Sequence, residues 1–206
     1  MPLATALSVF NADAAQCTAL IANIHRTDSA SIPLFPTRDR EQVTVAAFLN
    51  LFIAWESFLE EALLEYLMGA ATIGGTIPVC FVHPPSKEIA RQMIIGTQRY
   101  FDFGNHDNFR KIVNIYFQNG YPFETPLAGI LSDLNDVRTM RNSCAHITST
   151  TQKSLEALAQ RIFGVARAGI DIYQLLVSIH PGPGGNTVMS RYQQQLQIGA
   201  QLIATG

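Results

Sequence analysis

Charge is scarce in this chain: Lys, Arg, Asp and Glu make up 15% of its 206 residues, against roughly 25% in an ordinary soluble domain. Basic and acidic residues number 14 and 16, for a net charge of -2. No global field therefore draws the protein to nucleic acid, and such binding would need a local patch. Cysteine is scarcer still. Cys17, Cys80 and Cys144 are odd in number and show no paired spacing, which excludes the usual zinc and redox motifs and a full disulfide framework. A reduced, cytoplasmic protein is expected. Uninterrupted apolar runs of bilayer length are also missing: the run from Val43 to Ala54 contains Thr44 and Asn50, and the one from Leu67 to Val82 contains Gly69, Gly74, Gly75 and Pro78. No membrane span is expected, and the segment from Met1 to Phe10 lacks the Lys or Arg of a secretory signal. Strand signals are scarce, and solenoid repeats and long low-complexity tracts are absent.

What the chain has is apolar residues at helical spacing. They form 48% of the sequence and give a mean hydropathy of +0.14. At this length one domain with a sizeable core is expected. The surplus apolar surface is most simply covered in a homo-oligomer interface.

Pro and Gly punctuate the helices. A first helix is expected from Asp13 to about His25. A second runs from Arg40 to Met68, where Val45, Phe48, Leu49, Phe52, Trp55, Leu59, Leu63, Tyr66 and Leu67 recur three and four residues apart and Gly69 makes a stop. Residues 70 to 82 read as an irregular Gly/Pro-rich insert or a short hairpin. Ser86 can cap a helix carrying Ile89, Met93 and Ile94, and Asn105 or Asp107 another carrying Phe109, Val113 and Phe117. Thr125-Pro126 reads as the N-cap and first residue of a helix whose buried stripe is Leu127, Ile130, Leu131, Leu134 and Val137. A further helix is expected from Thr151 to Ile179, then a linker over 180 to 187 and a tail helix within 188 to 206. The fold class is all-α: a single antiparallel helical bundle spanning 1 to 206, with its core from about 40 to 179.

The segment Arg141-Asn142-Ser143-Cys144-Ala145-His146 carries the chemistry. It sets a permanent cation, a small amide and an imidazole that titrates near neutral pH within six residues. On a helix Asn142 and His146 share a face, whereas Arg141 lies about 140° from His146 on the apolar side. The two meet if the helix ends within Ala145 to Thr151, or if two chains pool their motifs across a two-fold axis. A structural role fits the same spacing: the Arg would bind a carboxylate and the His the last carbonyls of the helix. Glu56, Glu60, Glu61 and Glu65 on the second helix lack the Glu-x-x-His partners of a bundle metal site, so no metal and no cofactor is expected.

The stretch Asp136-Val-Arg-Thr-Met-Arg141-Asn142-Ser-Cys-Ala-His146 resembles the signature of the HEPN superfamily, an Arg followed by a small polar residue and then a His. Phe52-Ile-Ala-Trp55-Glu56-Ser-Phe58-Leu-Glu60-Glu61 resembles the long early helix of several prokaryotic HEPN branches, the RiboL-PSP-HEPN type being one candidate. The likeness covers Arg40 to Ile179. It implies a HEPN-type bundle and a metal-independent endoribonuclease of a toxin–antitoxin or anti-phage defence system, acting as a homodimer on RNA. Arg141 would neutralise the scissile phosphate, His146 would shuttle protons, Asn142 would orient the His or hold a phosphate oxygen, and Glu56 would be an auxiliary polar residue. The implied products are a 2′,3′-cyclic phosphate and a 5′-OH. A cognate antitoxin or regulatory protein is the implied second partner. One toxin branch has a Tyr two positions after the His, which its nucleotidyltransferase antitoxin modifies; this chain has Thr148 there, so that regulation is not expected. The alternative reading is a non-catalytic HEPN-like module that binds a nucleotide or a protein.

Overall fold

A computed structural model describes residues 2–145 and 148–206. Among the described residues the secondary structure is helical: α1 (Leu3–Ile24), α2 (Thr37–Leu67), α3 (Lys87–Ile95), α4 (His106–Tyr116), α5 (Glu124–Gly129), α6 (Leu131–Ala145), α7 (Ser149–Phe163), α8 (Ile172–Val177) and α9 (Val188–Thr205), with a 3₁₀ turn at Gln118–Gly120. The all-α expectation holds. The chain divides into two compact units, one made of residues 1–11, 55–134 and 195–206 and the other of 12–54 and 135–194.

In the first unit the three-and-four spacing of α2 buries Trp55, Phe58, Leu59, Leu63, Tyr66 and Leu67, together with Phe10 of α1 and Leu196, Ala200 and Ile203 of α9. Phe58 stacks on Trp55 and Phe10 packs tilted against both, and the Trp55 indole N–H donates to His106 Nε2 at 3.1 Å. A buried indole needs such a partner. Close approach is possible at Gly199, where an added Cβ would stand 2.8 Å from Ile130 Cδ1 and 3.4 Å from the Trp55 ring. The Tyr66 hydroxyl donates to the Ile203 carbonyl at 2.7 Å, and Ile73 N–H to the Ala204 carbonyl at 2.8 Å, tying the 70 to 82 insert to α9.

Several boundaries differ from expectation. α1 begins at Leu3, ten residues before Asp13, because Leu3, Leu7, Phe10 and Ala14 continue the buried stripe with no breaker between. The hairpin alternative for the insert is not seen: a single bridge joins Cys80 to Phe117, with Phe81 N–H bonded to Tyr116 O and Gln118 N–H to Val79 O. Thr125 does not cap the motif helix. α5 opens at Glu124, whose carboxylate is held by Arg110 and Asn114, so Thr125 and Pro126 fall inside its first turn. The backbone then leaves helical geometry at Ile130 (φ -117°, ψ 18°) before α6 begins, next to Gly129, a weak helix former. The helix expected from Thr151 to Ile179 is two: Gly164 adopts φ 72° and closes α7, and α8 starts afresh with an Asp171–Gln174 capping box.

In the second unit Phe48, Leu51, Phe52, Val137, Met140, Leu155, Leu158, Leu175 and Leu176 are buried. Residues 180 to 187 form a closed loop, since Ile179 pairs with Thr187 and Val188 N–H reaches Ser178 O at 2.9 Å. α2 is, among the described residues, the one helix long and apolar enough to cross a membrane, and half of its apolar window is buried inside the protein, as in a core helix.

Candidate functional site

The second unit carries most of the motif. α6 is anchored there by Asp136, a carboxylate on its buried face with 5% exposure. Arg161 of α7 forks onto it, Nη1 to Oδ2 at 3.1 Å and Nη2 to Oδ1 at 2.5 Å, and the Tyr192 hydroxyl of α9 donates to Oδ2 at 2.7 Å. One buried acid thus fastens three helices through charge-assisted hydrogen bonds. Five residues on, α6 reaches its described end at Ala145, and α7 is capped independently by Thr148, whose side chain accepts from Thr151 N–H. The chain is therefore not one continuous helix through residue 148. The Ser143 hydroxyl donates to Thr139 O at 3.0 Å and packs beside Thr151 O at 3.5 Å, linking the two helix ends.

Arg141 is half-buried. Its guanidinium carbon lies 5.7 Å from the centroid of the Phe52 ring, which is 2% exposed. One N–H, from Nη1, donates to Asn142 Oδ1 at 3.3 Å. Among the described residues no carboxylate pairs with it. In contrast, Arg161 is paired with Asp136, Arg91 with Glu60, Arg110 with Glu124 and Lys87 with Glu65 and Glu61. The Arg141 guanidinium therefore keeps N–H donors beyond the one given to Asn142. Asn142, having turned its oxygen to Arg141, keeps its amide N–H groups for another acceptor.

Of the four expected site residues, the described contacts join Arg141 and Asn142. His146 lies outside the described residues. Glu56 is half-buried on α2 and belongs to the first unit, whereas Arg141 and Asn142 belong to the second. Between Arg141 and His146 in sequence, Cys144 is no nucleophile: burial pushes its thiol up to about 12, with Arg141 pulling the other way.

Glu60, Glu61 and Glu65 are taken by Arg91 and Lys87. Among the described residues no three His, Cys, Asp or Glu side chains gather as a metal ligand set. Of the two expected caps, Asn105 is the one that caps α4, and the next residue, His106, is buried and accepts the Trp55 indole N–H. Because Nε2 accepts the indole proton, the imidazole is held as the Nδ1–H tautomer. Sequence reasoning missed Asp136 as a buried anchor and Phe52 as a platform. The sequence carried no clear signal for Asp136, whose neighbours three and four residues away on the helix, Ser132, Asp133, Thr139 and Met140, are mostly polar.

Compared with protein-family models, with curated proteins and with solved structures, the chain matches none of them.

Proposed function

We propose that this protein is a metal-independent endoribonuclease of the HEPN type, a cytoplasmic homodimer serving a toxin–antitoxin or anti-phage system. The observation that carries the reading is Arg141, half-buried over Phe52 and lacking a carboxylate partner among the described residues. Arg161, by contrast, is neutralised by Asp136. The motif supplies the rest: His146 stands five residues on, past the described end of α6.

In this mechanism Arg141 holds two oxygens of the scissile phosphate through its planar fork and stabilises the charge that builds up in the transition state. Phe52 and the Asn142 oxygen fix the fork, lowering the entropy lost on binding. Asn142 donates to a phosphate oxygen. His146 takes the 2′-OH proton as that oxygen attacks phosphorus, and its conjugate acid supplies the proton to the departing 5′-oxygen. Glu56 is an auxiliary polar residue in the same reading, and a cognate antitoxin or regulatory protein is the partner that restrains cleavage.

The products test the chemistry. Purified protein incubated with end-labelled RNA should yield 2′,3′-cyclic phosphate and 5′-OH ends and leave DNA of the same sequence whole, because DNA lacks the attacking hydroxyl. Fragments with 3′-OH and 5′-phosphate ends would refute the mechanism. RNA bound but uncut would favour a nucleotide-binding module, which the uncompensated Arg141 would serve equally well.

A further inference from the structure

Within the second unit, the start of α2 and the start of α8 enclose a cleft of about 500 Å³ lined by Glu41, Gln42, Val45, Ala46, Leu49, Asp171, Ile172 and Tyr173. The volume lies in the range of small-molecule sites. Its walls are the aliphatic groups of Val45, Ala46, Leu49 and Ile172 and the ring of Tyr173. The charges among its lining residues are all negative.

Glu41 is half-buried, yet it forms no ion pair or hydrogen bond, unlike Glu60, Glu65, Glu124 and Asp136, each of which has a Lys or Arg partner. Asp171 uses Oδ1 to accept the Gln174 N–H at 2.7 Å, and its second oxygen is left over. Tyr173 is held in place: its ring stacks on His25 at 5.9 Å between centroids and 8° between planes. His25 in turn bonds Thr44 Oγ1 at 3.0 Å. Burial, helped by Arg40, keeps the His25 imidazole below its ordinary value, so at neutral pH it adds no positive charge behind Tyr173.

We propose that this cleft binds a small organic monocation, an amine whose aromatic or branched aliphatic body fills the apolar floor while its ammonium group meets Glu41 and the free oxygen of Asp171. Two negative charges beside an apolar wall, one on half-buried Glu41 and one on exposed Asp171, disfavour an anion and give a neutral molecule nothing beyond its burial. An ammonium gains both ion pairing and the quadrupole of the Tyr173 ring. The site is independent of Arg141, so RNA cleavage and amine binding stand or fall separately.

The test is calorimetric titration of the whole protein with 4-phenylbutylamine, 4-phenylbutanol and 4-phenylbutanoate, ligands sharing one apolar body. The amine should bind about fivefold more tightly than the alcohol, the difference of a partly screened ion pair, and the carboxylate most weakly. Glu41→Gln, a surface change that leaves circular dichroism unaltered, should erase the amine's advantage. Ala46→Trp should fill the cleft and abolish binding of all three; if it fails to fold, the Glu41→Gln comparison decides alone. Equal affinity for amine and alcohol, an amine preference that survives Glu41→Gln, or no binding of the amine at millimolar concentration would each overturn the proposal.

Discussion

The Arg141 guanidinium rests over the ring of Phe52, 5.7 Å from its centroid, and touches no carboxylate among the described residues. A cation so placed is restrained without being neutralised, and the ring's negative face offsets only part of the hydration it gives up. Phe52→Leu keeps the site apolar but removes that face. The variant should lose about fivefold in cleavage rate, the value of a cation–π contact of roughly 1 kcal/mol, with its helicity intact. An unchanged rate in a folded variant would show that the ring does not position Arg141.

Asp136 fastens α6 to Arg161 and Tyr192. Asp136→Asn weakens three charge-assisted bonds in a buried place and should cost about 2 kcal/mol in chemical unfolding, while Tyr192→Phe should cost about 1 kcal/mol. The double variant should lose less than the sum, since both changes remove the same bond. Simple additivity would mean that the two groups are not coupled as their geometry implies.

The Arg110 guanidinium holds the Glu124 carboxyl below its ordinary value of 4.5, with Asn114 helping. Because the folded-state value is the lower one, the pair's stabilisation is fully present above pH 4.5 and is lost as pH falls through the folded value. At pH 7 wild type should exceed Glu124→Gln by about 1 kcal/mol, and the gap should close in more acidic buffer. A gap that widens on acidification would reverse the sign and sink the assignment.

With its thiol pushed up to about 12 by burial, Cys144 is neutral at pH 8. Iodoacetamide should alkylate it at least about 100-fold more slowly in the folded protein than in urea. Cys144→Ser should still cut RNA. Rapid labelling of the native protein, or loss of cleavage in that variant without unfolding, would contradict a merely packed role.

The helices were legible where spacing and punctuation agreed. α2 could be read from Val45 to Leu67 because each turn places an apolar group on one side, and the Ser86 and Asn105 caps were visible as small polar residues ahead of periodic runs. Boundaries failed where tertiary contacts decided them: Glu124, gripped by Arg110, opens α5 earlier than Thr125-Pro126 proposes, and Gly164 divides a stretch that otherwise keeps helical spacing. Arg141 was recognisable as a candidate, but its lack of a counter-ion was not, because whether a carboxylate meets it depends on packing between distant segments. Its platform, Phe52, was read only as part of a core stripe. The cleft beside Tyr173 had no signature at all, being made by two segments about 130 residues apart in sequence that meet only in the folded chain.

The most direct measurement compares wild type, Arg141→Ala and His146→Ala on one labelled RNA in excess EDTA. Wild type should cut at full rate without divalent ions, each variant should fall by at least about 100-fold, and all three should keep the same helicity and oligomeric state. Equal cleavage by the three proteins, or a wild-type reaction that stops in EDTA and returns with added magnesium, would contradict the account.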